Sequence, residues 1–93
     1  MTTAHAILTE AATIVTGPRQ AQHGPARSTF TAVAALWTAY LKVRRNPSPV
    51  ITPVDVCHMM ALLKLSRSQY GELNSDDHVD ACGYFAIAGE LST

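Results

Sequence analysis

The stretch TPVDVCHMMALLKLSRSQY, residues 52–70, predicts the helix around which the rest of the chain is organised. Thr52 is a favourable N-cap, Pro53 suits the first helical position, and Asp55 can return a hydrogen bond in a capping box. The apolar side chains that follow lie nearly all round the helix, which is typical of a central or interfacial helix. We therefore expect a helix over residues 53–70 in the middle of the fold.

Three more helices are indicated by apolar side chains at helical spacing. Thr3, Ser28 and Ser75 are candidate N-caps for them, and the prolines of NPSPVI (residues 46–51) end the second helix. Neither strand alternation nor an internal repeat is present, so we predict an all-α single domain that resembles a four-helix bundle. The three further helices are expected over residues 4–15, 29–45 and 76–91.

The composition favours self-association and argues against nucleic acid as a partner. The chain has 93 residues, of which 47% are hydrophobic and 15% charged, whereas soluble domains average about 25% charged residues. A small chain with so few charges often buries apolar surface against copies of itself, and we expect a homo-oligomer. Seven basic and seven acidic residues balance, which leaves no strong field to attract nucleic acid or an anionic membrane.

The same sequence favours a cytoplasmic location. Cys57 and Cys82 lie in apolar helical patterns and are expected to be reduced thiols of the core rather than a disulfide. The first residues carry no basic segment before their apolar run, unlike a signal peptide. No apolar run approaches the roughly 18 residues of a membrane helix. We expect a soluble cytoplasmic protein.

Two charged residues fall on the apolar faces of their helices. Arg67 follows Met60 and Leu63 along one stripe, and Asp80 lies three residues before Gly83 on the apolar side of the last helix. That side is expected to be formed by Val79, Gly83, Ala86, Ile87 and Leu91. Gly83 in mid-helix suggests that a backbone or a ligand approaches closely. A lone buried charge is costly, so Arg67 and Asp80 are expected to pair with each other or to line a polar pocket. The other residues of that pocket would be Lys64, Asp77 and Tyr84.

The loop TGPRQAQHGPARS, residues 16–28, is the second candidate region. Its glycines let backbone amides approach an anion, and Lys64 and Arg67 could add charge-assisted bonds to a phosphate. The alternative is a solvated connector, although the loop is longer than joining two helices requires. The candidate ligand-binding residues are Arg19, Gln20, His23, Lys64, Arg67, Asp80 and Tyr84.

Taken together, these segments resemble an uncharacterised family of small helical proteins of phages and prophages. The resemblance covers nearly the whole chain. It rests on ILTEA (7–11), GPRQ (17–20), FTAVAALWTAYL (30–41), TPVDVCHMMALLKLSR (52–67) and DHVDACGY (77–84).

More distantly, the chain is similar to the MazG-like all-α nucleotide pyrophosphohydrolases. That resemblance implies magnesium held by acidic residues on helices, here Glu10, Asp77 and Asp80. Asp77 and Asp80 have the spacing of the later acidic motif, but Thr13 stands where the earlier motif needs a second acid. Because this site would have few carboxylates to bind magnesium and has cations nearby, we expect it to hold a nucleotide-like anion rather than to hydrolyse it.

Three functions follow as hypotheses. The first is a phage-type protein that binds a nucleotide-derived anion without turnover, with no catalytic residue and no cofactor, and sequesters a host immune nucleotide signal. The second is a MazG-like hydrolase with magnesium at Glu10, Asp77 and Asp80. The third is a ligand-free structural or interaction protein. The chain contains no CxxC, HExxH, Walker or GxSxG motif to indicate another chemistry.

Overall fold

The computed structural model describes residues 2–17 and 26–93, and over these residues the regular structure is entirely helical. The predicted all-α class is therefore confirmed for this part of the chain, together with the four predicted helices. They are α1 (Ala4–Thr16), α2 (Ala26–Val43), α3 (Pro53–Arg67) and α4 (Ser75–Leu91).

The starts of α3 and α4 are both set by a side-chain cap. The Thr52 hydroxyl accepts a hydrogen bond from the Asp55 amide at 3.2 Å, and the Asp55 carboxylate accepts one from the Thr52 amide at 2.8 Å. The predicted capping box is thus confirmed. In α4 the cap is Asn74, whose side chain accepts from the Asp76 amide at 3.0 Å. The prediction of Ser75 was wrong by one residue, because asparagine caps as well as serine.

Two other helix ends differ from the prediction. α2 already begins at Ala26, so that Ser28 lies inside the helix, and it ends at Val43. α3 ends at Arg67 rather than residue 70 because the chain tightens after it. The amide of Tyr70 donates to the Arg67 carbonyl at 3.3 Å, a three-residue turn, and Gly71 then adopts a left-handed φ of 70°.

α3 lies between α2 and α4 and forms a helical hairpin with α4. Trp37 of α2 donates its indole N–H to the Met59 carbonyl at 2.7 Å, and the Ser66 hydroxyl donates to the Thr29 carbonyl at 3.1 Å. The predicted central position of α3 is confirmed. The buried apolar residues are Val33, Cys57, Met59, Ala61 and Ala88.

The face of α4 that packs on α3 differs from the predicted one. Asp77 and Ala88 are buried, and Ala81 and Tyr84 are half-buried between them. This spacing follows the helical period, and the two alanines allow a close approach that larger side chains would prevent. The residues predicted to form the apolar side are instead exposed: Val79, Gly83, Ala86, Ile87 and Leu91.

Gly83 also departs from the expectation. A Cβ atom at this position would meet no described atom within 4 Å. The predicted close approach of a backbone at Gly83 is therefore wrong for the part of the single chain that the structure describes. The glycine faces open space on the exposed side of α4.

Over the residues that the structure describes, α1 does not complete a four-helix bundle. None of its residues is buried, and its contacts with the other helices are few. Its apolar stripe of Ile7, Leu8, Ala11, Ile14 and Val15 is exposed. The prediction of a bundle was wrong in this respect for the described residues, because none of the other described helices packs closely on the stripe.

Both cysteines are free thiols, as predicted, but only Cys57 is buried, whereas Cys82 is exposed on α4. Among the described helices, none combines the length and the apolar character that crossing a bilayer demands.

Candidate functional site

A cavity of about 180 Å³ lies between the second half of α3 and the first half of α4. We call it the α3–α4 cavity. Its wall is mostly apolar, with a few polar groups among the aliphatic and aromatic side chains, which is the usual composition of a ligand pocket. The lining residues are Ala61, Leu62, Lys64, Leu65, Ser68, Asp77, His78, Ala81 and Phe85.

Lys64 forms an ion pair across the hairpin at the cavity. Its Nζ lies 2.8 Å from Oδ2 of Asp80, and the two side chains are 15% and 45% exposed. The predicted partner of Asp80 was Arg67, and that pairing was wrong. The antiparallel register of the hairpin brings Lys64, one turn earlier on α3, to Asp80. Arg67 is half-buried and has no ion pair with any described residue.

Asp77 is the unusual group in the wall of the cavity. The residue is 3% exposed, and its Oδ2 atom is buried without a hydrogen-bond partner. Its backbone amide donates to the Asn74 carbonyl at 3.1 Å, but its carboxylate does not return a bond to the cap. A buried carboxylate oxygen without a partner has lost its hydration without compensation. The atom has almost no accessible surface, so it does not contribute to the surface that a ligand in the cavity would contact.

A second polar cluster lies at the start of α3. Arg44 places Nη1 2.6 Å from Oδ2 of Asp55, and the two side chains are 7% and 5% exposed. The same guanidinium donates to the Val50 carbonyl at 3.1 Å and to the Ser48 carbonyl. Arg44 therefore joins the end of α2, the loop and the start of α3, while its Nε is buried without a partner.

Tyr40 and His58 extend this cluster. The Tyr40 hydroxyl donates to Oδ1 of Asp55 at 2.6 Å and lies 3.0 Å from Nδ1 of His58. The hydroxyl has one hydrogen, and the carboxylate can only accept. The geometry therefore requires Nδ1 of His58 to carry a hydrogen and to donate to the Tyr40 oxygen. The His58 ring also lies 5.9 Å from the ring of Phe85, a wall residue of the cavity.

These contacts change the acidity of both oxygen groups. The hydrogen bond from Tyr40 and the bonds from Thr52 and Arg44 hold the pKa of Asp55 well below its usual range. Burial, together with the hydrogen bond to Asp55, raises the pKa of Tyr40 to about 12. Asp55 therefore stays ionised and Tyr40 stays neutral at physiological pH. With all its acceptors occupied, this cluster is built to hold the fold rather than to react.

From the sequence, Asp55 was predicted only as a helix cap, and the roles of Arg44, Tyr40 and His58 in this cluster were not predicted. The spacing of Tyr40 and Arg44, four residues apart at the end of a helix, places both side chains on one face. That spacing, followed by a capping aspartate after a short loop, was the available signal.

The acidic residues proposed for magnesium do not converge. No group of three or more His, Cys, Asp or Glu side chains that could hold a metal ion occurs in residues 2–17 and 26–93. Glu10 is exposed on α1, and Asp80 is occupied by the Lys64 ammonium.

The remaining candidate residues are divided between two regions. Tyr84 is half-buried on the face of α4 toward α3 but is not part of the cavity wall. Arg19, Gln20 and His23 lie outside the described residues. The structure thus brings together Lys64, Asp77 and Asp80 from the predicted pocket.

The sequence is similar to proteins of two mycobacteriophages. It is 35% identical over 85 residues to the Gene 55 protein of Mycobacterium phage L5, covering 91% of this chain and 51% of that protein. It is 31% identical over 78 residues to the Gene 55 protein of Mycobacterium phage D29, covering 84% of this chain and 48% of that protein. The chain therefore spans about half the length of the curated relatives it matches. No solved structure matches it.

The predicted resemblance to an uncharacterised family with phage members is confirmed, whereas the MazG-like resemblance stays a prediction. Residues 6–92, nearly the whole chain, match one family profile. The chain belongs to the family described as a domain of unknown function, DUF6378.

Proposed function

We propose that this chain binds a nucleotide-derived small molecule without turnover, with the base in the α3–α4 cavity and the phosphate at its rim. In a phage-infected cell, such a protein would sequester a nucleotide signal of the host's defence in the cytoplasm. The observation that carries the proposal is the mostly apolar α3–α4 cavity with Lys64 among its lining residues and Arg67 one turn further along α3.

The size of the cavity supports a ring rather than a whole nucleotide as its occupant. An apolar cavity of about 150 Å³ accommodates a benzene ring, and this one measures about 180 Å³. Phe85, Leu62 and Leu65 supply apolar wall on which a ring can pack. The sugar and the phosphate of a nucleotide would then remain at the opening.

The cations around the cavity support a phosphate at that opening. The Lys64 ammonium has three donors, and its partner Asp80 is 45% exposed, so water already competes for this pair. Arg67 lies one turn further along α3, half-buried and without an ion pair to any described residue. In the proposal, Arg19, Gln20 and His23 add donors from the loop.

The test is titration calorimetry with the four nucleoside monophosphates in the presence of a chelator, followed by mass analysis of the recovered ligand. We expect binding of at least one nucleotide and its recovery intact. Lys64→Ala should weaken it about ten- to a hundred-fold through the loss of a charge-assisted bond. Lys42→Ala, which removes an exposed lysine of α2, should leave affinity unchanged. No binding of any nucleotide, or equal effects of the two variants, would refute the proposal.

The hydrolase alternative finds no support among the described residues, because its three acids do not form a cluster. Incubation with the four nucleoside triphosphates, with and without magnesium, decides the matter. Appearance of pyrophosphate only with magnesium would establish turnover and overturn the proposal of a binder.

The third function, a ligand-free interaction protein, is favoured by one observation, the exposed face of α1. Ile7, Leu8, Ile14 and Val15 are between 43% and 68% exposed. A helix of 13 residues is marginal in water without packing, so a partner surface is needed to stabilise α1. We infer that a second copy of this chain supplies it, since a chain of this size with so small a core is marginal as a monomer.

Sedimentation velocity over a concentration series tests this assembly. We expect an oligomer, and Leu8→Lys should shift it toward monomer by placing a charge in the interface. The control is Leu73→Lys, in the turn between α3 and α4, where the leucine is 93% exposed. A wild-type chain that is monomeric throughout, or equal behaviour of both variants, would contradict the inference.

A further inference from the structure

The α3–α4 hairpin carries an exposed apolar face on the side of its Lys64–Asp80 ion pair. On α3, Met60 lies one turn before Lys64. On α4, Ile87 lies two turns after Asp80, so helical spacing places both apolar residues on the side of the ion pair. We call this side the hairpin face, and its large apolar residues are Val56, Met60, Leu63, Ile87 and Leu91. Three of these side chains are between 46% and 50% exposed, so the described helices leave the face uncovered.

Arg67 lies at one end of the hairpin face. It follows Leu63 by one turn, is half-buried and forms no ion pair with any described residue. A guanidinium that has lost part of its hydration favours a carboxylate beside it, to which it can donate two parallel hydrogen bonds. α1 has one charged side chain among its 13 residues, that of Glu10, at the edge of its exposed apolar stripe. The two uncovered surfaces of this chain are therefore both apolar and complementary in charge.

We propose that α1 of a second copy packs on the hairpin face, with its Glu10 paired to Arg67 of the copy that it contacts. The inference rests on the assembly inferred above, because it names the surface that covers α1, and it does not require a nucleotide. Glu10 lies one turn before Ile14, just as Arg67 lies one turn after Leu63. An antiparallel α1 therefore brings the ion pair and an apolar contact together. Arg67 has five N–H donors, so a carboxylate leaves some of them for a phosphate.

The two surfaces agree in length, and the area of their contact predicts a weak dimer. α1 has 13 residues and is ~20 Å long, and the hairpin face extends ~17 Å along α3 from Val56 to Arg67. A helix of that length and ~10 Å wide covers about 200 Å². Two such contacts exchanged about a twofold axis bury about 800 Å² over both copies, below the ~1,200–2,000 Å² of stable complexes. We therefore expect a dimer that dissociates at about micromolar concentrations.

Reversing the charges tests the contact between copies. Sedimentation velocity over a concentration series gives the dissociation constants of the wild-type dimer and of the variants Glu10→Arg and Arg67→Glu. Each variant brings like charges together, and we expect each to weaken the dimer about tenfold or more. The control Arg45→Glu reverses an exposed charge just after α2 and should leave the dimer unchanged.

Mixing the two variants shows which chain α1 contacts. In an equimolar mixture of Glu10→Arg with Arg67→Glu, each α1 meets a charge of opposite sign on the other copy, so dimers as tight as wild type should return. A single chain that carries both substitutions should also regain its dimer. Recovery in the mixture would exclude misfolding as the cause of the weakened variants, because a misfolded chain would not be complemented.

The remaining outcomes each contradict a different part of the reasoning. Unchanged affinity in both single variants, or no recovery in either the mixture or the doubly substituted chain, would overturn the pairing of Glu10 with Arg67 and leave self-association intact. Recovery in the doubly substituted chain but not in the mixture would show that α1 packs on its own chain. A wild-type chain that is monomeric at every concentration would refute the assembly itself. Nucleotide binding is decided separately by calorimetry.

Discussion

Replacing Tyr40 by phenylalanine should destabilise the fold by an amount that follows from its two hydrogen bonds. The substitution removes the donor to Asp55 at 2.6 Å and the oxygen that faces Nδ1 of His58 at 3.0 Å. A hydrogen bond to a charged group contributes ~1.5–3 kcal/mol and a neutral one about 1 kcal/mol. Because Tyr40 is half-buried, water can replace part of both, and we expect a loss of about 2 kcal/mol.

The assay is urea unfolding followed by circular dichroism, with the free energy of unfolding taken at neutral pH. A loss of that size in a domain of this length lowers the melting temperature by about 8–16 °C. The control is Tyr70→Phe, because Tyr70 is also half-buried and has no described side-chain hydrogen bond. Equal stabilities of the two variants, within about 0.5 kcal/mol, would refute the reasoning that Tyr40 holds the cluster together.

The contribution of the Tyr40 hydroxyl to stability can also be measured through its dependence on alkaline pH. The pKa of Tyr40 is raised to about 12 in the folded chain, from about 10 when unfolded. The contribution of the neutral hydroxyl is therefore complete below pH ~10 and is lost as the pH rises through about 12. Tyr70→Phe should keep this alkaline loss of stability, whereas Tyr40→Phe should lack it. A loss of the same size in both would contradict the raised pKa.

Three further predictions concern the helices and the cluster. Gly83→Ala should stabilise the chain by up to about 1 kcal/mol in urea unfolding, since its Cβ meets no described atom within 4 Å; a destabilised or dissociated variant would show that another copy approaches α4 here. Trp37→Phe should cost about 1–3 kcal/mol by leaving the Met59 carbonyl without its donor, and a thermal melt that matches wild type would contradict this. In acid, the lowered pKa of Asp55 makes its contribution complete above its unfolded pKa of about 4 and lost as the pH falls below it. An acid titration monitored by circular dichroism checks the last point, and stability that rises below pH ~4 would exclude it.

The start of α3 was predictable because its causes are local. Threonine, proline and aspartate within residues 52–55 determine the cap without reference to the rest of the chain, and the capping box is present. The central position of α3 followed from its apolar surface all round. Both features depend only on residues that are close in sequence, so they can be predicted without knowledge of the packed structure.

The face of α4 was not predictable from the size of its apolar side chains. Val79 and Ile87 suggested one face, whereas α4 packs through Ala81 and Ala88, which are small. Small residues at a helix–helix contact allow the two helices to pack closely. The position of the bulky apolar residues therefore did not identify the contact face of α4. The bulky face of α4 stays exposed in the single chain, as the stripe of α1 does.

The partners of the charges depend on register between helices, which the sequence does not reveal. Arg67 and Lys64 lie one turn apart on α3, and either could have met Asp80 by spacing alone. The hairpin register selects Lys64. The burial of Asp77 without a partner has the same origin, since only the packed hairpin encloses that carboxylate.

The hydrogen bonds from Arg44 to the loop between α2 and α3 restrict where the chain can be lengthened. Surface connections usually accept inserted residues, but here one guanidinium holds the carbonyls of Ser48 and Val50 and the carboxylate of Asp55. An insertion between α2 and α3 would pull at least one of these oxygens away from a planar group that cannot stretch to follow it. The turn between α3 and α4 carries no such restraint at Leu73, which is almost wholly exposed. A peptide tag or a fluorescent label is best inserted there, and the join between α2 and α3 is best left at its natural length.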